Sequence, residues 1–366
     1  MGFLHDYIDF VENKTFDDLP FNEIDGVIFS LLPMIDCQLS FPKKGKRSFY
    51  HCLDRHVKVH ELNQLGLLIK SDITKMLYRC SKTKRYSECK IHNFSSIIDN
   101  NSETQATALT VDINEGLSVI VFSGTDDTIV GWKEDFNMMF DHHVPCLDHS
   151  LQYLNKMGEE LNSFYIVGHS KGGMEAFYSF GFTSEIIQRK TIKVYSYDGP
   201  GLSEEVASKI DDKIKSKMKL LVPQGGIVGR MFTQVVEPTI IYSSYRGLNQ
   251  HDPMSWEINR GRLHFHKVEE FNIQSNLLKE KLDNIINTLP EEKAKEFVYH
   301  LFDVLSAGGS CTLSDIPKRP HQSLRKFIKL PQDIRKLIAS LILYLAKDKI
   351  IGKELLLGAI GINQNR

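Results

Sequence analysis

One serine of the chain stands between two glycines at alternate positions, Gly168-His169-Ser170-Lys171-Gly172, a spacing suited to presenting a nucleophile. A hydroxyl attacks a carbonyl only when a base takes its proton and fixed donors hold the oxyanion that forms. Glycines at 168 and 172 let neighbouring backbone approach a sharp turn without Cβ clashes. The flanks fit as well. A short apolar strand, Phe164 to Val167, runs straight into the turn, and a helix rich in small residues (Gly172, Gly173, Ala176) leaves it. Strand, turn and helix together are the setting in which G-x-S-x-G raises a serine at a sheet edge, above a helix N-terminus. A chance match in a glycine-rich turn would lack both flanks.

The base should lie downstream, because in this arrangement the chain order is Ser, acid, His. His251, His264, His266, His300 and His321 all follow Ser170. His251 lies in Gln250-His251-Asp252-Pro253-Met254-Ser255-Trp256, a loop after the last core strand, and is the expected base. His264 and His266 alternate along a basic amphipathic stretch and read as structural. His300 and His321 fall in a helical C-terminal part.

The acid follows by elimination. The loop after the strand ending near Val222, Pro223 to Gly229, has no carboxylate. Asp198 follows the preceding strand at once, in Tyr197-Asp198-Gly199-Pro200-Gly201, at the sheet edge where Ser170 should sit. It is the expected acid. Asp252 is the runner-up, although an acid adjacent to His251 has poor geometry for its Nδ1–H. The structural alternative for Asp198 is a cap on the helix that starts near Ser203, or an Asx turn. For the oxyanion, the N–H groups of Lys171 and of Thr125 are expected, the latter in Ser123-Gly124-Thr125-Asp126-Asp127 at a strand end, with the Thr125 hydroxyl as a further donor.

These residues need a sheet to hold them. Ala106 to Ile113 and Leu117 to Phe122 read as strands joined by a turn at Asn114-Glu115-Gly116. Phe164 to Val167, Ile192 to Tyr197, Lys219 to Val222 and Thr239 to Ser243 read as further strands. Helices are expected over Lys171 to Gln188 and Ser203 to Lys217. Such alternation predicts an α/β fold with a mostly parallel sheet covered by helices. Residues 1–100 read as mostly helical and irregular, with apolar stretches at Ile24 to Leu32 and Leu62 to Leu68. From about 271 to 366 the pattern is purely helical (Glu269 to Leu289, Pro290 to Ser306, Pro331 to Ala346), a C-terminal appendage to a domain of residues 1–270.

Composition narrows the function classes. With 45 basic against 46 acidic side chains in 366 residues, there is no global attraction to nucleic acid or to an anionic membrane. The N-terminus lacks the pattern of a secretion signal, and Gly2 is followed by Asp6 where myristoylation wants Ser or Thr. The apolar run Leu337 to Ala346 is about half of a bilayer span. Read as a membrane-interface helix or lid it would need a richly basic polar face, and only Lys336 and Lys347 flank it. Six scattered cysteines without a C-x-x-C pair read as reduced thiols. A cytoplasmic protein is expected. No cofactor is expected, since no phosphate-cradling glycine loop occurs. No metal is expected either. His51, Cys52, His56 and His60, and separately Asp141, His142, His143 and His149, lack ligand partners at the usual intervals.

Several pieces together carry a resemblance: Leu19 to Glu23 (LPFNE), Phe122 to Phe136 (FSGTDDTIVGWKEDF), Gly168 to Gly173 (GHSKGG), Tyr197 to Gly201, Val222 to Gln224 and His251 to Trp256. In this order they resemble a bacterial family of lipase-like proteins of largely unassigned function, related to the fungal class 3 lipases. The resemblance implies an α/β-hydrolase core, a Ser-His-Asp triad and a small-molecule or lipid ester as substrate. It also implies an oxyanion role for Thr125, with Trp132 and Asp135 at the positions of a lid tryptophan and an aspartate. Ser123 departs from the pattern where class 3 lipases usually carry Arg. The early position of Asp198 is instead similar to the pancreatic lipase family. A serine esterase of lipase type is therefore expected. A hydrolase-fold binding or regulatory protein with a vestigial site, and a thioesterase or peptidase, are the alternatives. Oligomeric state is not legible.

Overall fold

The computed structural model describes residues 2–62, 71–259, 261–318 and 320–347. Its centre is one eight-stranded sheet in sequential order: β1 (Lys46–Ser48), β2 (Lys90–Asp99), β3 (Thr104–Asn114), β4 (Leu117–Phe122), β5 (Ser163–His169), β6 (Thr191–Tyr197), β7 (Met218–Pro223) and β8 (Pro238–Ile241). The first four strands pair antiparallel, and β4 to β8 pair parallel. This is an α/β-hydrolase sheet, antiparallel at its start and parallel from β4 onward.

Side chains alternate across the sheet because successive residues of a strand point to opposite faces. Val119, Val121 and Val167 join a core beneath the N-terminal helices, which include Leu4–Val11, Glu23–Ser30 and Phe49–His60. Ile120, Phe122, Phe164 and Ile166 join the opposite core beneath the helices Pro145–Glu160 and Lys171–Phe182. Strands buried on both faces read as continuous apolar runs, which is what LSVIVF and FYIV are.

The register brings the functional edge into line. Phe122 pairs with Gly168, and His169 with Tyr197. Hence Ser123–Thr125, Ser170 and Asp198 leave three neighbouring strands at one edge, the carboxyl end where open parallel sheets bind ligands.

Several elements depart from the sequence expectation. The N-terminal hundred residues contain β1 and β2. The strand β2 is disguised by a bulge between His92 and Ser95, where Asn93 adopts φ 51°, so its alternation breaks. The helix expected over Lys171 to Gln188 ends at Phe182 and restarts at Glu185, with extended Thr183 bonding Asn155 across the break (2.6 Å). The helix expected over Ser203 to Lys217 is two short ones, Glu204–Ala207 and Asp212–Lys215. Ile210 turns inward between them against Gly181. A helix at Pro320–Ile328 was not anticipated. Of the apolar stretch Leu62 to Leu68, residues 63–68 lie outside the described residues, as do the side chains of Leu337 to Ala346 beyond Ser340.

The C-terminal helices Glu291–Leu305, Pro320–Ile328 and Gln332–Lys347 gather a third apolar cluster around Val298, Leu301, Phe302 and Phe327. It includes Ile129 and reaches Trp132 and Phe136, on the helix Ile129–Asn137 that follows the Ser123–Thr128 loop. Backbone bonds reinforce the contact: Ile129 N–H donates to the Cys311 carbonyl (2.9 Å), and Leu313 N–H donates to that of Asp127 (2.9 Å).

Candidate active site

Ser170 caps the helix Lys171–Phe182 with φ 58° and ψ −132°, a conformation that costs a non-glycine residue energy and persists only where surroundings enforce it. They do so here through two close approaches. A Cβ on Gly168 would lie 2.0 Å from the Gly172 carbonyl oxygen, and one on Gly172 would lie 2.3 Å from that of Phe122. Ser170 N–H also donates to the Tyr197 carbonyl (3.0 Å), tying the turn to β6.

Asp198 is the next strand's counterpart. It is fully buried, it too has positive φ (49°), and its N–H donates to the Leu221 carbonyl (2.8 Å). Its Oδ2 meets His251 Nδ1 at 2.6 Å, and its Oδ1 accepts the Gly229 N–H at 2.9 Å. The loop after β7, which has no carboxylate of its own, thus wraps Asp198. A Cβ at Gly229 would come within 2.4 Å of Asp198 Oδ1.

His251 ends the turn Gly247–His251 and is held by its neighbours. Gln250 accepts the Gly225 N–H on its side chain (2.9 Å), and its carbonyl accepts the indole N–H of fully buried Trp256 (2.7 Å). The His251 carbonyl accepts from Nε2 of His169 (2.8 Å), whose ring lies 4.4 Å from the His251 ring. Burial, then the nearby His251, pushes His169 well below the usual imidazole range, so it is neutral with its proton on Nε2. Sequence reading gave His169 no role. Alternation along β5 places it on the face of buried Val167, and that was the available signal.

Of the expected site residues, Asp198 and His251 are in direct contact, and Ser170 sits on the strand end beside Asp198. Asp252, the alternative acid, instead accepts the Met254 N–H (3.0 Å) and caps the next turn. His264 lies 3.4 Å from Glu23, and His266 bonds Glu257 (2.6 Å).

The Ser123–Thr125 loop passes against Ser170, since a Cβ on Gly124 would lie 3.3 Å from Ser170 Cβ. The Thr125 hydroxyl, expected as a further oxyanion donor, donates to Asp135 Oδ2 (2.6 Å). The hydroxyl is therefore engaged within the fold, which leaves the Thr125 N–H as the expected donor. Lys171 is the first residue of its helix, where an N–H has no intrahelical acceptor. Burial, partly offset by Lys171 and the Thr125 hydroxyl, pushes Asp135 up to about 6. Ser123, where the resemblance places Arg, donates to the Gly124 carbonyl (2.8 Å). Trp132 Nε1–H donates to the Asp126 carbonyl (3.1 Å), fastening the helix to the loop.

The histidines near residue 56 have other partners. His51 bonds Ser48 (2.6 Å), His60 bonds Asp36 (2.8 Å), and buried His56 accepts the Asp36 N–H on Nδ1 (3.3 Å). Burial first, then His60, lowers His56 to about 4. An unfolded imidazole titrates near 6.5, so between those values the unfolded chain binds the extra proton. Stability should therefore fall as pH drops from about 6.5 to about 4, by about 3 kcal/mol in full. Urea midpoints measured across that window should show this acid limb flattened in His56→Gln. An equally steep limb in the variant would assign the effect elsewhere.

A family model, Mbeg1-like, matches residues 80–303, more than half of the chain. Among solved structures the chain is similar to that of the crystal structure of M37 lipase. The two are 17% identical over 50% of this chain and 66% of that one, just under two thirds of the lipase, with a TM-score of 0.33. No curated protein matches the chain. No helix among the described residues is long and apolar enough to cross a membrane.

Proposed function

We propose, from the premise that this chain belongs to the Mbeg1-like family, that it is a serine hydrolase cleaving a carboxylic ester through Ser170, His251 and Asp198. The observation that carries this reading is the 2.6 Å contact of His251 Nδ1 with a fully buried Asp198, at the strand end beside a serine held at positive φ. A buried carboxylate on Nδ1 keeps the proton there and leaves Nε2 as the lone-pair base.

In the first step His251 Nε2 takes the Ser170 proton as Oγ bonds the ester carbonyl carbon. The carbonyl π pair moves onto oxygen, where the N–H groups of Thr125 and Lys171 hold it. Collapse expels the alkoxide, which takes the proton from His251. Water, deprotonated by the same nitrogen, then releases the acid and restores Ser170. Asp198 stays ionised throughout and stabilises the imidazolium. A lipid or small-molecule ester is the substrate class, and no cofactor takes part. Acyl-chain choice lies in pocket shape rather than in these residues.

A fluorophosphonate followed by intact mass tests the reading. Wild type is expected to gain one adduct, and Ser170→Ala and His251→Ala none. A folded wild type that gains none, with or without detergent, would favour a vestigial binding site, and labelling of Ser170→Ala would assign the reaction to another residue.

A further inference from the structure

The residue after the nucleophile carries a buried charge. The Lys171 ammonium lies at 1% exposure, bonded to the Gln105 carbonyl (2.7 Å), Gln105 Oε1 (2.8 Å) and Glu134 Oε2 (2.9 Å), with Asp135 Oδ1 at 3.9 Å. Glu134 is equally buried and also accepts the N–H groups of Gln105 (3.0 Å) and Cys146 (2.9 Å). Glu175, one turn along the helix from Lys171, is buried with the Cys146 thiol beside its carboxyl. Burial above all pushes Glu175 well above the usual range. Glu134 is the carboxylate bonded to the ammonium, and Asp135 is a second one further off, at 3.9 Å.

Burying such a pair costs more desolvation than an apolar side chain of the same volume, so stability alone does not account for it. Its position suggests what does. The backbone N–H of Lys171 is one oxyanion donor, and its side chain is tethered to β3 and to the helix Ile129–Asn137. The next residue of that helix, Asp135, holds the Thr125 hydroxyl. Gly131 of the same helix leaves room where Gln105 and Thr125 meet, since a Cβ there would lie 3.1 Å from both. Two successive carboxylates on one helix therefore grip both sides of the oxyanion site.

We propose that Lys171 and Glu134 form a positioning pair that sets the spacing of the Thr125 and Lys171 N–H groups around the oxyanion. This rests on the serine hydrolase reading. Neither side chain touches substrate, and the pair acts through the backbone of Lys171 and the helix that carries Asp135.

The test uses the full chain with p-nitrophenyl butyrate and an alkyl trifluoromethyl ketone. Ser170 Oγ adds to the carbonyl carbon of the ketone, its proton passes to His251, and the carbonyl electron pair becomes an oxyanion. Lys171→Met or Glu134→Gln alone strands a buried partner and should lower the urea midpoint. The double variant Lys171→Met/Glu134→Gln removes both charges and should recover most of it. Its kcat should remain about 100-fold low, the cost of a misplaced group. KM should be nearly unchanged, and affinity for the ketone should fall in proportion to kcat. A double variant with wild-type kcat and ketone affinity overturns the pair's role, as does a loss confined to KM or to folding. A wild type that neither hydrolyses the ester nor takes a fluorophosphonate removes the serine hydrolase reading and this inference together. A labelled, active wild type beside an unimpaired double variant removes the inference alone.

Discussion

Asp198→Asn is expected to lower kcat on any ester the wild type cleaves by about 10⁴-fold, with little change in folding. The size follows from which way the new amide must face. Gly229 N–H donates to Oδ1, so the amide oxygen stays on that side and the NH₂ group falls where Oδ2 now meets His251 Nδ1. Two donors cannot share that contact. His251 must move its proton to Nε2 and present Nδ1 as acceptor, and Nε2 then has no lone pair for the serine proton. The stabilising charge beside the imidazolium is lost as well. Asp252→Asn keeps the oxygen that accepts the Met254 N–H and should change kcat only slightly. Side-by-side kinetics of the two variants decide the matter. A loss below tenfold for Asp198→Asn, or a larger loss for Asp252→Asn, would displace Asp198 as the acid.

Asp25→Ala is expected to cost about 3–5 kcal/mol of folding free energy, because it leaves a buried guanidinium without its counter-charge. Asp25 and Arg85 side chains are both fully buried, 2.6 Å apart at Arg85 Nη2 and Asp25 Oδ2. The remaining oxygen of Asp25 accepts from Arg85 Nε (2.8 Å), Tyr7 (2.9 Å) and Tyr86 (2.6 Å), and Asn22 N–H bonds Oδ2 (3.0 Å). Arg85 reaches further, to the carbonyls of Thr15 and Leu19 (3.0 Å each). One carboxylate thus joins the first helix, the Leu19–Glu23 segment and the chain before β2. Four donor groups lose their acceptor together when it is removed, and a cavity adds to the loss. Urea denaturation of the variant against wild type measures the cost, and a change under about 1 kcal/mol would show that water or rearrangement restores the bonds. The charged pair is expected to matter little for the labelling chemistry at Ser170, so surviving folded protein should still react.

How much of this was open to reading depends on how far apart the participants stand in the chain. The elbow was legible because all its requirements are local: an apolar strand, two glycines and a small-residue helix within about fifteen positions. Strands β4 and β5 were legible because double-sided burial writes itself as apolar runs. The strand β2 was not, since KIHNFSSIID is polar for a strand and its bulge spoils the period. Helix ends near Thr183 and Ile210 escaped because long-range contacts with Asn155 and Gly181 decide them. Asp135 and Trp132 could be marked from resemblance, but Glu134 between them could not. Nothing in its neighbours announces that a lysine 37 residues later will need it.

The sequence by itself determined the strand–turn–helix around Ser170, the parallel core and the segment in which His251 lies, because backbone sterics and the periods of buried strands and helices act over a few residues. Only the tertiary structure decided that Asp198 rather than Asp252 meets His251, that the loop after β7 wraps Asp198, and that Lys171 and Glu134 are buried against one another beneath the elbow. Those are pairings across 53, 31 and 37 residues. Their cause is desolvation: a polar group carried inside by the packing of its element must bond whatever the fold has brought beside it, and no local pattern records which group that is.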